Sequence, residues 1–141
     1  MKEKSTGDLS FELMSQPNLD AYLSQNEDCF TNQSAAEFLI VYFQRSGMTK
    51  AALARKAGMS EVYLHQVFSG RRNPSRDRLL CLCVCLELSL EETQQLLKEA
   101  CHAPLYPRNR RDSIITYGVL HRQALAEINE KLFEENEKTL F

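Results

Sequence analysis

The chain has 141 residues, 43% hydrophobic and 26% charged, with a net charge of −2. That length holds one domain, or one small domain with extensions, and that balance builds a core beneath a solvated surface. No apolar run approaches the roughly 18 residues of a membrane span, the N-terminal MKEKSTGDLSFELMSQ lacks the apolar segment of a secretory signal, and five cysteines, an odd number, argue against a secreted disulfide framework; the expectation is a cytoplasmic protein without a membrane partner.

Residues 1–33 are polar and acidic, with apolar clusters at Leu9, Phe11, Leu13, Met14 and at Leu19, Tyr22, Leu23. Asn18 is a capping residue placed just before the second cluster, which predicts a short helix over NLDAYLSQNE. The aromatics argue against full disorder, so this extension is expected to pack on the rest of the chain or to form a dimer contact.

Ser34 and Glu37 stand at capping-box spacing, in which the serine hydroxyl and the glutamate satisfy each other's orphan amides. They predict a helix from Ser34 through Phe38, Leu39, Val41 and Tyr42 to Arg45, ended at Gly47. Thr49 caps the next, and Ala51-Ala52-Leu53-Ala54 is a strong helix-forming run. Gly58 ends it, because glycine alone reaches positive φ without a Cβ penalty. Ser60 then caps a helix whose Leu64, Val67 and Phe68 form one buried stripe. Gly70 stops that helix, and Arg71-Arg72-Asn73-Pro74 leaves it as a basic loop. Two helices joined by a short glycine turn make a helix-turn-helix unit.

These residues carry a family resemblance. Thr49, the Leu53-Ala54 pair, Gly58, Ser60, Leu64, Gly70, Asn73-Pro74 and Leu79-Leu80 resemble, in order and spacing, the landmarks of the lambda-repressor-like (XRE/Cro) helix-turn-helix family. The resemblance spans Ser34 to Cys101, about half the chain. It implies a compact bundle of about five helices whose third enters the DNA major groove.

Further along, Ser75 caps a helix carrying Leu79, Leu80, Leu82, Val84 and Leu86. Cys81 and Cys85 share one face of it and Cys83 points nearly opposite, so three thiolates cannot converge on one metal; they are expected as small buried apolar positions. Ser89 and Glu92 form a second capping box, opening a helix with Leu90, Leu96, Leu97 and Ala100. Residues 103–107, Ala-Pro-Leu-Tyr-Pro, force a break. The segment from Arg76-Asp77 to Ala100 can then be laid over Arg111-Asp112 to Glu135 at an offset of 35 residues. Val84 falls on Val119, Leu90 on Leu125, Glu92 on Glu127 and Leu97 on Leu132. Residues 109–141 thus read as a second copy of the preceding helical hairpin, with Asn109 as cap, and its apolar stripe has to pack on the first copy or on another chain. The resulting expectation is an all-α protein: an N-terminal helical extension (1–33), a five-helix helix-turn-helix bundle (34–101), and a C-terminal αα-hairpin (102–141) packed on it or used for dimerisation.

Charge is unevenly placed. Residues 1–40 sum to −5, whereas residues 45–78 hold eight basic side chains against Glu61 and Asp77, a sum of +6. That concentration is the footprint of a phosphate-facing surface. By the family's geometry, Lys50 would meet a phosphate, and the helix over 60–69 would present Ser60, Glu61, Val62, His65 and Gln66 to base edges. Gln66 can pair an adenine edge, Glu61 can accept from cytosine N4 and Val62 can meet a thymine methyl. Tyr63 either reaches a phosphate or packs. Arg71, Arg72 and Asn73 would clamp the backbone. Double-stranded DNA and a homodimer on two half-sites are the implied partners. The alternative is the same fold used as a protein–protein interaction module, a reading that Glu61 favours because negative charge repels phosphate. No nucleophile–base pair, metal cluster or phosphate loop stands out, so neither an enzyme nor a cofactor is expected.

Overall fold

A computed structural model describes residues 4–26 and 35–141. The chain divides into two units, residues 1–32 and 33–141. In the first unit, Ser5 and Asp8 close a capping box that opens α1 (Thr6–Ser15), a helix that the Leu9–Met14 cluster alone did not announce. Asn18 accepts from the amides of Asp20 and Ala21 and opens α2 (Leu19–Gln25), at the predicted cap. Buried Asn26 donates to the Glu12 carboxylate and to the Tyr22 carbonyl, both at 3.0 Å, and so ties α1 to the end of α2.

The second unit is helical throughout its regular structure: α3 (Ala35–Ser46), α4 (Lys50–Ala57), α5 (Glu61–Phe68), α6 (Arg76–Cys85), α7 (Leu90–Glu99), α8 (Arg110–Leu120) and α9 (Leu125–Glu134). The expected capping box at Ser34 lies outside the described residues. The other predicted caps are in place: the Thr49, Ser60, Ser75 and Asn109 side chains accept from the third amide of α4, α5, α6 and α8 respectively. The second capping box forms as well, between Ser89 and Glu92. Gly58 has φ 69°, and the Met59 amide bonds the Ala54 carbonyl at 2.8 Å, which turns the chain sharply from α4 into α5. No described helix is long and apolar enough to cross a membrane.

One continuous hydrophobic core runs from α3 to the C-terminal tail. Leu39, Leu53, Leu64, Leu79, Leu80, Leu82, Leu96, Leu97, Ile115, Ile128 and Leu132 are wholly excluded from solvent within it, each worth roughly 1.5–3 kcal/mol by burial. Helix α6 lies at its centre, touching α4, α7 and α9, and every residue from Leu79 to Val84 is buried. The expected role of the cysteines follows. Burial pushes the thiols of Cys81 and Cys83 up to about 12 and that of Cys85 to about 11, so all three are protonated side chains that fill space.

The 35-residue repeat extends from sequence into the bonding. Arg76 donates to the carbonyls of Ala103 (2.9 Å) and Pro104 (3.1 Å) and to the Asp112 carboxylate (2.9 and 3.0 Å). Its counterpart Arg111 donates to the carbonyls of Lys138 (2.8 Å) and Thr139 (3.2 Å) and to Asp77 (2.9 Å). Every one of those partners is also offset by 35. The left-handed residues repeat too, Glu87 (φ 53°) with Arg122 (φ 50°) and Cys101 (φ 61°) with Asn136 (φ 59°). Each copy's arginine grips the other copy's aspartate, α6 touches α9 and α7 touches α8. Exchanged contacts of this kind are those of a local two-fold axis between hairpins. Gly118 lets α8 and α9 meet: a Cβ there would come within 2.4 Å of the Ile128 side chain.

Candidate nucleic-acid interface

Helix α5 owes its orientation to its buried stripe. Leu64, Val67 and Phe68 enter the core, and the Phe43 ring of α3 packs on Phe68 with centroids 5.0 Å apart. The opposite face must then look outward. Glu61, Val62 and His65 are exposed there, Val62 at 69%, while Tyr63 and Gln66 are half-buried. A valine exposed on such a helix offers an apolar contact of the kind a thymine methyl accepts. The Ser60 hydroxyl is held by its cap bond to the Tyr63 amide at 3.0 Å, so its duty in the free chain is to start the helix.

The loop after α5 is folded back on it. The amides of Arg71 and Arg72 both bond the Gln66 carbonyl, at 3.0 and 3.2 Å, and Gly70 has φ 79°. Both arginine side chains are exposed. Asn73 is turned elsewhere: its amide reaches the Ala100 carbonyl at 3.5 Å, fastening the loop to the end of α7. His102 adds a 2.8 Å bond to the Pro74 carbonyl on the same seam.

Tyr63 packs rather than pointing its hydroxyl outward alone. The Arg72 guanidinium lies 5.4 Å from its ring centroid and that of Arg78 lies 4.4 Å from it. One ring therefore positions a loop arginine and an α6 arginine together, each gaining cation–π attraction of about 0.5–1 kcal/mol. In sequence Arg78 is one of the eight basic side chains of residues 45–78, and nothing there shows that the first turn of α6 reaches the middle of α5.

Ion pairing separates free from occupied charge. Arg45 binds Glu92 through two hydrogen bonds of 2.7 and 3.0 Å. Arg76, Arg110 and Arg111 are tied to Asp112, Glu135 and Asp77. Among the described residues Lys50, Arg55, Lys56, Arg71, Arg72 and Arg78 form no ion pair, and all six are exposed. Lys50 is the first residue of α4, at the place a phosphate contact was expected. The Arg110-Arg111 pair, which could have extended this positive surface, is instead committed to the fold.

Residues 36–96 match the family model of a helix-turn-helix domain. The match covers α4, the Gly58 turn, α5 and the basic loop, and stops within α7; a domain of this kind is in general a DNA-binding, non-enzymatic one. No curated protein and no solved structure matches the chain. This protein contains a helix-turn-helix domain, in agreement with the lambda-repressor-like landmarks, followed by a helical C-terminal extension.

Proposed function

We propose that this chain is a sequence-specific transcriptional regulator that lays α5 in the DNA major groove. The observation that carries the reading is the set of six basic side chains without an ion pair on α4, the 71–72 loop and the start of α6, together with a helix α5 that exposes Val62 and His65 and leaves Gln66 half-buried. Lys50, Arg71, Arg72 and Arg78 contact phosphates and fix the register; Val62 and Gln66 read base edges. The role is binding rather than catalysis, exercised in the cytoplasm. A homodimer on half-sites about one helical turn (~34 Å) apart supplies the affinity that one small unit lacks. The inward stripe of the α8–α9 hairpin is used within the chain, so that dimer forms through another surface.

Glu61 favours a second reading, a protein-binding module, because it sets a carboxylate at the start of the recognition helix. Affinity for duplex DNA across a salt series separates the two. The regulator loses affinity steeply with salt, and Arg71→Ala with Arg72→Ala lowers the slope by about two, close to one unit per lost phosphate contact. Equal, weak and sequence-blind binding by wild type and double mutant on a genomic fragment library would leave the protein-binding reading standing.

A further inference from the structure

The two hairpins are internal copies, yet among the second unit's described residues they are covered differently. On α6, Leu79 and Leu82 are fully buried and Cys85 is half-buried, with α4 packed on α6 and α3 on α7. Thirty-five residues later on α8 stand Ile114, Tyr117 and Leu120. Ile114 is half-buried against the core, whereas Tyr117 and Leu120 are 56% and 58% exposed. Between Ile114 and Tyr117 on one side and Glu127, Glu130 and Glu134 on the other runs an open groove of about 820 Å³.

The covered copy shows what such a face accepts. Its occupants are α4, on α6, and α3, on α7; α3 places Tyr42 against the core and sets Arg45 on Glu92 in a two-bond pair. The Arg45 guanidinium, helped by the capping bonds from Ser89, holds the Glu92 carboxyl down to about 2. Glu127 is the counterpart of Glu92. It keeps the capping position, accepting from the Ala124 amide at 3.4 Å, and is exposed, with no ion pair among the described residues. Glu130 likewise has no ion pair among the described residues, whereas Glu134 and Glu135 are matched by Lys131 and Arg110. Where the covered face has Leu88, Leu96 and Ala100, the open one has Gln123, Lys131 and Glu135. Those polar exchanges keep the open face soluble while vacant and suit a reversible contact.

We infer that the outer face of α8–α9 is a docking groove for an amphipathic, arginine-bearing helix of a partner protein. That helix sets apolar residues on Ile114 and Tyr117 and an arginine on Glu127, the last as α3 sets Arg45 on Glu92 in the first copy. A second copy of this chain docking the same face on itself would bring the glutamates together and repel. The inference is independent of DNA binding.

The test titrates full-length, isotope-labelled protein with a helix-stabilised peptide bearing the sequence of residues 35–46. Expected is saturable binding in the range of about 10–500 μM, with amide shifts centred on Ile114, Tyr117 and Glu127. Glu127→Gln, which can still cap the helix, should weaken it about three- to tenfold. A peptide with its arginine changed to glutamate should fail on wild type and recover on Glu127→Arg, while Tyr117→Ser weakens either peptide. No saturable binding, shifts centred on another face, or indifference to both the Glu127 and Tyr117 changes would overturn the inference.

Discussion

At the scale of the residue, Tyr63 is the side chain whose role changed most between sequence and structure. Its sequence environment left phosphate contact and packing equally open. In three dimensions the guanidinium groups of Arg72 and Arg78 both lie against its ring, making it a positioning group for two cations proposed to bind phosphate. Tyr63→Phe keeps the ring and should leave DNA affinity within about twofold. Tyr63→Leu removes about 0.5–1 kcal/mol of attraction from each arginine and should weaken binding by about five- to thirtyfold while leaving the melting temperature nearly unchanged. Fluorescence anisotropy with labelled duplex, run on both variants, checks this; equal loss in Phe and Leu would mean that the hydroxyl, not the ring, does the work. Other residue-level features were visible in advance. Gly58, Ser60, Ser89 and Glu92 act locally, through backbone within four residues, and local chemistry is written in sequence. The Arg45–Glu92 pair joins positions 47 apart and is not.

At the scale of the element, α7 shows how a local signal gains a distant function. The Ser89–Glu92 box satisfies the helix start, and the same glutamate then anchors α3 through Arg45. The Glu92 carboxyl is thereby lowered from 4.5 to about 2. A depressed folded-state value contributes stability that is fully present above about pH 4.5 and lost as pH falls towards 2. Urea midpoints measured across that window should fall with acid, and Glu92→Gln should be less stable at pH 6 yet show a shallower acid slope. Because Arg45 is 55% exposed, salt will reduce the effect. The hairpin repeat belongs to this scale too. Its identities were few enough in sequence to arise by chance between two amphipathic hairpins. The matched bonds of Arg76 and Arg111, down to carbonyls at 103 and 138 and at 104 and 139, tie the two copies at positions no periodicity reveals.

For the whole molecule, the decisive feature is that the second hairpin completes the core. Ile115, Ile128, Leu132 and Leu140 are buried in the same cluster as Leu53 and Leu64, and Cys81 is covered by the tail, its thiol 3.9 Å from the Leu140 carbonyl. Removing residues 109–141 takes away at least four such side chains, at roughly 1.5–3 kcal/mol each. That is comparable with the 5–15 kcal/mol that holds a domain of this size. The truncated chain should therefore aggregate or lose cooperative melting, and Cys81 should become reactive to a thiol reagent. A monodisperse, cooperatively melting 1–108 fragment would show instead that the bundle is self-sufficient.

The sequence by itself determined the helices from α2 onward, most of their caps, the glycine turn and the family to which residues 36–96 conform, because each depends on propensities and hydrogen bonds spanning a few residues. It also located the excess of basic charge. Only the tertiary structure decided which of those charges are free: Arg45, Arg76, Arg110 and Arg111 look no different in sequence from Arg71, Arg72 and Arg78. Ion pairing depends on which acids the packing brings within 4 Å, and packing is a property of the whole core. The same reason explains why one copy of the hairpin is closed by α3 and α4 and the other leaves its face open.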